Sequence, residues 1–204
     1  MSKFTLWRSE NKSFPTEVLV GTKFVPIESD YRVALKILHL QGDSTVREVK
    51  KIGYMLKWFY SEGLDGVEVG KAIEVMVDFL AFSSKNRDSG FVQKVSQKSE
   101  SKGSKYCFEF DAEEIYVSFL QDYNIDLIDS NTKLHWYKFI MLFGNLSKET
   151  ALMRKIELRT LDLSPYKGKD KVKLQRAQKE VQIPIKLTMQ EASLVEDVMR
   201  KLHS

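Results

Sequence analysis

The spacing of apolar residues predicts a chain made mostly of α-helices. Over most segments, apolar side chains recur at every third or fourth position, which is the period of a helix with one buried face. The exception runs from Val18 to Val25, where β-branched residues flank a turn led by Gly21, and Pro26 ends the pattern. The sequence therefore predicts a mainly α fold: a single helical domain with a short N-terminal β-hairpin and a C-terminal amphipathic helix.

Polar cap residues divide the first half of the chain into three predicted helices. Ser29 is expected to cap the first helix, and Asp43 with Ser44 to cap the second. A third helix runs from about Val67 toward Phe82 and has apolar residues on most sides. We expect this third helix to be nearly all buried.

Two successive helices of one core are predicted between Asp111 and Phe143. Asp111 and Glu114 have the spacing of a capping box, and Asn124 can adopt the left-handed conformation that ends a helix. The second helix is expected to open near Ser130 or Asn131 and to be central, because it is apolar on nearly all sides. We place the polar residues of the first helix on its solvent side: Glu113, Glu114, Ser118, Gln121 and Asp122.

Two further helices are predicted before the C-terminal one. Ser147 can cap a helix that extends to about Leu161. Ser164, with Pro165 at the first helical position, can start another that reaches Val181 or Gln182. Both predictions rest on a short polar residue directly before an apolar periodic segment.

The last predicted helix carries the candidate partner-binding residues. It opens with a capping box formed by Thr188 and Glu191. Its apolar side chains form one narrow stripe, which fits docking either on the protein's own core or in a groove of a partner. The residues of this stripe are Ala192, Val195, Val198, Met199 and Leu202.

Composition predicts a compact chain with three parts. Residues 1–14 form a loose arm, residues 15–163 a helical core domain, and residues 164–204 the C-terminal helices. Within the core, residues 83–104 are rich in Ser, Lys and Gly, so we expect a mobile basic connection there. Hydrophobic residues make up 43% of the chain and charged residues 29%, which is ordinary for a globular protein.

The net charge of +4 is unevenly distributed along the chain. Between residues 85 and 105, six Lys or Arg outnumber two acidic residues; between residues 165 and 186, seven outnumber two. The two segments carry +4 and +5, so the rest of the chain sums to −5. Solvated loop and helix surface is the favoured interpretation of both segments, and few aromatic residues accompany the charges, so nucleic-acid binding is disfavoured.

No signature of an enzyme or of a cofactor site emerges. The segment from Gly66 to Ala72 has the wrong glycine spacing for a phosphate-binding loop and lacks its magnesium-binding hydroxyl. The three histidines are scattered, and Cys107 is the single cysteine, so neither a zinc site nor a disulfide within the chain is expected. His135 lies beside Trp136, where packing is favoured over catalysis. We therefore expect no enzymatic activity and no cofactor.

The N-terminal sequence and the apolar runs favour a cytoplasmic protein. The first ten residues lack the apolar core of a signal peptide. The longest apolar run, from Phe139 to Phe143, is far shorter than the roughly 20 residues that cross a bilayer. Neither export nor membrane insertion is indicated.

Four motifs carry a resemblance to a known family. They are P-I-E-S-D-Y-R at 26–32, D-x-x-x-I-Y-x-S-F-x-Q-x-Y-x-I-D-L at 111–127, L-H-W-Y-K-F at 134–139 and I-x-L-R-T-L-D-L at 156–163. In this order they resemble the gene-product-fifteen family of siphophages that infect Gram-positive bacteria. The resemblance covers about Val18 to Leu163 and fades after about Lys171.

The resemblance implies a role in phage tail assembly. Members of this family are similar to tail assembly chaperones, so the implied function is to bind the tape measure protein and keep it soluble during tail morphogenesis. The implied partner is that protein, and the further implied candidates are the tail tube protein, a companion tail assembly chaperone and other copies of this chain. We expect the host cytoplasm as location and absence from the mature virion. The alternatives are a structural tail or connector subunit and a small basic nucleic-acid-binding accessory protein.

Overall fold

The computed structural model describes residues 14–81 and 105–184, which fall into two compact units. The described part of the first unit comprises residues 14–81 and 133–144, and that of the second comprises residues 105–132 and 145–184. In chain order, the elements are β1 (Glu17–Val20), β2 (Lys23–Pro26), α1 (Tyr31–Gly42), α2 (Glu48–Phe59), α3 (Val69–Leu80), α4 (Ala112–Tyr123), α5 (Trp136–Phe143), α6 (Ala151–Thr160) and α7 (Gly168–Glu180).

The hairpin forms where the sequence predicts it. Strands β1 and β2 pair antiparallel, with Val18 opposite Val25 and Leu19 opposite Phe24. Gly21 adopts a φ of +64° in the two-residue turn, a conformation that glycine reaches without steric cost. Alternation of side chains buries Val18 and Val25 and leaves Leu19 and Phe24 on the opposite, exposed face.

The first unit packs the hairpin and four helices around aromatic side chains. Helix α1 packs against α2 and α5, and α3 packs against α2 and β1. Phe59, Phe79 and Phe139 are all buried at the centre of this packing, and Phe59 meets Phe79 edge to face at 5.2 Å between ring centroids. Buried Tyr60 donates its hydroxyl to the Ala72 carbonyl at 2.7 Å, which joins the end of α2 to α3.

Two helix starts in the first unit differ from the predicted ones. Asp30, rather than Ser29, caps α1, because its carboxylate accepts the Arg32 N–H at 2.9 Å. The carboxylate of Asp43 accepts the Thr45 N–H at 2.8 Å and so stabilises the preceding loop, and α2 begins only at Glu48. The predictions were wrong because several short polar residues adjoin each start.

Helix α3 is less buried than its sequence predicts. Ala72, Met76 and Phe79 form its buried stripe, whereas Val69 and Val77 are each about half exposed. Apolar residues on most sides therefore did not mean burial on most sides. A helix with one packed face and a few exposed valines is ordinary in globular proteins.

The second unit packs α4 against α6, and α6 against α7. Its buried apolar residues are fewer than those of the first unit, and buried polar residues accompany them. The buried described residues of this unit are Asp111, Ile115, Ser118, Phe119, Leu146, Thr150, Leu152 and Arg159. Polar contacts therefore contribute a large share of its specific packing.

Helix ends were easier to predict than helix starts in this part of the chain. Asn124 takes the left-handed conformation, with φ of +51°, and ends α4; Gly144 ends α5. Helix α5 begins at Trp136 rather than near Ser130. The carboxylate of Asp126 accepts the N–H of Ile128 at 2.9 Å, a local turn that competes with helix formation before α5.

The predicted starts of α6 and α7 were also too early. Ser147 uses its N–H and hydroxyl to contact Asp122, and α6 begins at Ala151. The carboxylate of Asp162 accepts both the N–H and the hydroxyl of Ser164, and α7 begins at Gly168. In both cases the predicted cap residue is engaged in a loop instead.

The predicted mainly helical class with an N-terminal hairpin is confirmed. Helices α4 and α5 belong to different compact units. The boundaries of the arm, the core domain and the C-terminal helices stay a prediction. The arm up to residue 13, nearly all of the connection at 83–104 and the last predicted helix lie outside the described residues.

Candidate functional site

The predicted partner-binding stripe lies outside the described residues, so its placement stays a prediction. Its members are Ala192, Val195, Val198, Met199 and Leu202. The described residues that carry the family resemblance are those of the four motifs. In the structure, residues of these motifs form hydrogen bonds, ring contacts and an ion pair within each unit.

The first and third motifs meet in the first unit. The N–H of Tyr31 donates to the Leu134 carbonyl at 3.0 Å, and the N–H of Trp136 donates to the Ser29 carbonyl at 2.7 Å. The rings of Tyr31 and Phe139 stack with centroids 4.9 Å apart and an interplanar angle of 10°. These two motifs therefore specify a tertiary contact across about a hundred residues of chain.

His135 lies at the centre of this contact and caps α5. Its Nδ1 accepts the N–H of Tyr137 at 3.0 Å, so the proton of the neutral ring is on Nε2, which donates to the Pro15 carbonyl at 3.0 Å. The ring also stacks on Phe14 at 4.9 Å between centroids and meets Phe79 edge to face. His135 thereby fastens the segment before the hairpin to α5.

The environment of His135 favours its neutral form. Burial lowers the pKa of the imidazole below its ordinary value, and the hydrogen bond to Pro15 raises it by less. Protonation would place a second N–H on Nδ1, directly opposite the N–H of Tyr137. The expected packing role of His135 is thus seen in detail, and its partners are backbone groups and rings.

The second and fourth motifs meet in the second unit through a buried ion pair. Asp111 is fully buried, and its two carboxylate oxygens accept from Nη1 and Nη2 of Arg159 at 3.0 and 2.8 Å. Lys155 adds a contact at 3.0 Å, and the N–H of Cys107 donates at 2.9 Å. A bidentate pair with two further donors satisfies the carboxylate almost completely.

The capping box predicted for α4 was wrong, although its start at Ala112 is close to the prediction. The carboxylate of Asp111 faces Arg159 and makes no cap hydrogen bond, and Glu114 pairs with Lys155 at 2.7 Å. Burial raises the pKa of Asp111, but hydrogen bonds from Arg159, Cys107 and Lys155 outweigh it and hold the pKa below the ordinary value. Asp111 is therefore a charged structural residue.

Arg159 also joins distant parts of the second unit through backbone carbonyls. Its Nη1 donates to the Lys105 carbonyl at 2.6 Å, and its Nε donates to the Val181 carbonyl at 2.7 Å. The side-chain amide of Gln178 lies within 3.2 Å of the carbonyls of Leu158 and Arg159, so α7 caps the end of α6. In the sequence, the signal for this role is an arginine among the apolar residues of the fourth motif.

Ser118 was expected on the solvent side of α4, and this prediction was wrong. Its side chain is fully buried, donates to the Glu114 carbonyl at 2.5 Å and accepts the Leu152 N–H at 3.1 Å. Leu152 lies in the first turn of α6, where backbone N–H groups lack partners within the helix. Ser118 thus caps a helix other than its own.

Cys107 and His135 both contact backbone groups of the described residues. Among them, no three His, Cys, Asp or Glu side chains are placed to hold a metal ion. The Sγ of Cys107 accepts the N–H of Phe110 at 3.5 Å, and the ring of His135 is held by backbone groups as described above. Over the same residues, no helix is long and apolar enough to cross a membrane.

Two exposed surfaces of the described residues have distinct chemistry. In the first unit, Leu19 is 50% exposed and Phe24 is 61% exposed on the outer face of the hairpin. In the second unit, one side of α7 forms a groove in which three cationic residues outnumber one acidic residue; its lining includes Lys169, Lys173, Arg176, Glu180, Val172 and Ala177. The first surface is apolar and the second is cationic.

Comparison with protein families identifies the chain. The sequence model of the family described as Bacteriophage Gp15 protein matches residues 13–183. The chain belongs to this family. The Gp15 match includes every described element, and it extends to the end of α7, beyond the point near Lys171 where the motif resemblance fades.

Membership of the Gp15 family makes this a bacteriophage protein, and all four motifs lie within the matched residues. The first motif contacts the third, and the second contacts the fourth, each pair within one compact unit. The match ends before the predicted stripe that begins at Ala192. Comparison with curated proteins and with solved structures gave no match to the chain.

Proposed function

We propose that this Gp15 protein is a phage tail assembly chaperone that binds the tape measure protein and keeps it soluble while the tail is built. The observation that carries the proposal is the family match over residues 13–183. The helical architecture is compatible with this role, since helical proteins bind amphipathic helices through exposed apolar grooves and stripes. The proposed role requires no catalysis and no cofactor.

The physical task of such a chaperone is to cover apolar surface for a limited time. Tape measure proteins resemble long helices with apolar faces, which aggregate when they are exposed to water. Many copies of this chain, each bound weakly along one client, would gain avidity without strong individual contacts. Release would then need only competition by the assembling tail tube.

Two surfaces are candidates for contact with the client. One is the predicted stripe formed by Ala192, Val195, Val198, Met199 and Leu202, which the motifs of the family do not include. The other is the outer face of the hairpin, where Leu19 and Phe24 together expose more apolar surface than an isolated side chain.

Co-expression with the tape measure protein of the same phage tests the proposal. We expect the full chain to raise the soluble fraction of the client and to co-purify with it. The double variants Leu19→Ser/Phe24→Ser and Val195→Ser/Met199→Ser separate the two surfaces. Val49→Ser is the matched control, because Val49 is 83% exposed on α2 and belongs to neither surface.

Unchanged client solubility together with no co-purification would refute the chaperone role. Mass spectrometry of purified virions addresses the structural alternative. A tail or connector subunit would be present in fixed copy number in the particle, whereas an assembly chaperone is expected to be absent. The intracellular site of action, in the host cytoplasm, follows from the same role and is part of the proposal.

A further inference from the structure

Helix α2 carries a cluster of stacked aromatic rings at the surface of the first unit. The rings of Tyr54 and Trp58, one turn apart, stack with centroids 5.9 Å apart and an interplanar angle of 22°. The ammonium group of Lys36, on α1, lies 3.7 Å from the centroid of the Trp58 ring. Tyr54 is 49% exposed, and Trp58 is the single ring that it contacts among the described residues. Tyr54 therefore still presents ring surface to the solvent.

Lysines flank Tyr54 on the same side of α2. Lys50 precedes it by four residues and Lys57 follows it by three, and these spacings make side chains neighbours on a helix. Both lysines are exposed, and neither forms an ion pair within the part of the chain that the structure describes. Glu48, the one acidic residue of α2, points to another side and pairs with Lys51 at 2.7 Å. The surroundings of Tyr54 are therefore cationic.

Gly53 leaves the surface between the two lysines open. It lies three residues after Lys50 and four before Lys57, and an added Cβ would meet no atom within 4 Å. A glycine inside a helix is destabilising relative to alanine, and no close packing among the described residues requires one here. Without a side chain at this position, an extended ligand can lie close to the backbone beside Tyr54.

The positive charge of this region is local to α1 and α2. The two helices contain five Lys or Arg residues and one acidic residue. They lie outside the two basic segments of the sequence, in a remainder that sums to −5. Asp43 and Glu62, which follow the two helices, form no ion pair with Lys50 or Lys57 in the described ranges. Cations and exposed rings thus occur together here, which is not the case in the two basic segments.

We propose that the α2 face, formed by Lys50, Gly53, Tyr54, Lys57 and Trp58, binds single-stranded nucleic acid. A base stacks on the exposed ring of Tyr54 and extends the stack that Trp58 begins. Lys50 and Lys57 are about 10 Å apart along the helix axis, so they contact phosphates on the two sides of that base. Ring faces and phosphates carry no sequence information, so no sequence preference is expected. The proposal is independent of the chaperone role.

A single strand suits this face better than other anionic partners. An acidic peptide would use the lysines, but a carboxylate is repelled by the negative face of an aromatic ring. An anionic membrane surface favours helices that also insert aliphatic or aromatic side chains from one long stripe, and the α2 face has no aliphatic residue. A duplex keeps its bases stacked on each other, so it would leave the ring of Tyr54 unused.

Fluorescence anisotropy of the full chain with a labelled oligothymidylate of about ten nucleotides, at about 50 mM salt, tests the stacking contact. Tyr54→Ala should weaken binding about tenfold, because the stacking of one base is lost, whereas Tyr54→Phe should bind like the parent chain. Tyr166→Ala is the matched control, because Tyr166 is 38% exposed and lies in the second unit. Thermal unfolding of each variant identifies any loss of affinity that comes from loss of the fold.

The salt dependence of binding tests the phosphate contacts separately. On a single strand, each neutralised phosphate contributes about 0.7 to the slope of log affinity against log salt concentration. Lys50→Ala/Lys57→Ala should therefore reduce the slope by about 1.4. Lys169→Ala/Lys173→Ala removes the same charge from exposed positions of α7 and should leave the slope nearly unchanged.

Five results would overturn the proposal. The first is no change of anisotropy at low salt. The second is an equal loss of slope in the two double-lysine variants, which would show that binding follows net charge. The third is a Tyr54→Ala variant that folds and binds like the parent chain. The fourth is competition by polyglutamate that equals competition by unlabelled oligothymidylate, which would indicate an acidic protein partner. The fifth is binding to phosphatidylserine vesicles without binding to the oligonucleotide.

Discussion

Removal of the Arg159 side chain should destabilise the second unit far more than removal of any exposed arginine. Asp111 has no exposed surface and depends on Arg159 for two of its four short contacts. The variant Arg159→Met keeps most of the side-chain volume but leaves the carboxylate without its main partner. Arg154→Met makes the same chemical change at an exposed position of the same helix.

The magnitude follows from the groups left without partners. Breaking a buried ion pair on one side costs about 3–5 kcal/mol, because the remaining charge stays desolvated. Lys155 and the N–H of Cys107 still contact Asp111 in the variant. We therefore expect the free energy of unfolding to fall by about 3 kcal/mol, the lower end of this range. The carbonyls of Lys105 and Val181 also lose their donor. Arg154→Met should cost less than about 0.5 kcal/mol.

Amide hydrogen exchange measures this loss in the second unit itself. Both tryptophans of the described residues, Trp58 and Trp136, belong to the first unit, so their fluorescence would report on the wrong part. Peptides that cover α4 and α6 should exchange about a hundredfold faster in Arg159→Met, since about 1.4 kcal/mol corresponds to a factor of ten. Peptides that cover α1 serve as an internal reference.

Two results would refute this reasoning. One is an Arg159→Met protein whose α4 and α6 exchange no faster than those of Arg154→Met. The other concerns the double variant Asp111→Leu/Arg159→Met, in which no buried charge is left unpaired. This double variant should recover part of the lost stability, and a loss equal to the sum of the single losses would show that the two side chains are not coupled.

Three further predictions concern single side chains. Because the pKa of His135 is lowered in the fold, the unfolded state binds more protons near pH 6. Unfolding followed by tryptophan fluorescence should therefore show first-unit stability falling as pH drops through about 6.5. His135→Gln should remove this dependence, and an unchanged pH profile would contradict the assignment. Ser118→Ala should cost about 1–2 kcal/mol of second-unit protection, because the Leu152 N–H loses its acceptor, whereas Ser130→Ala should cost almost nothing. Burial raises the pKa of Tyr60 to about 12, so the stability of the fold should decrease as pH rises above 10. In an absorbance titration, the parent chain should have one phenol that ionises only above about pH 11 and that is missing from Tyr60→Phe.

Local signals in the sequence predicted helix ends and turns well. Gly21 in the hairpin turn, Asn124 and Gly144 lie where expected, because each acts through its own backbone preferences. Starts were less predictable, since several polar residues compete at each one. Asp30 caps α1 next to Ser29, and only the backbone pairing of the first and third motifs decides between them.

Contacts between distant residues could not be predicted from one sequence. Ser118 and Asp111 are polar and were assigned to surface or cap roles, yet their partners, Leu152 and Arg159, lie 34 and 48 residues further along the chain. Whether a polar side chain is buried depends on whether such a partner reaches it, and periodicity does not contain that information. The same holds for the separation of α4 and α5 into different units.

The guanidinium group of Arg159 brings together two points of the chain that lie far apart in sequence. Arg159 holds the carbonyls of Lys105 and Val181, which are close to the two ends of the continuous described segment 105–184. The chain that precedes Lys105 and the chain that follows Val181 therefore leave from neighbouring points, no further apart than one side chain can bridge. A fluorescent label or a fused tag at either point will report on, and can disturb, the other.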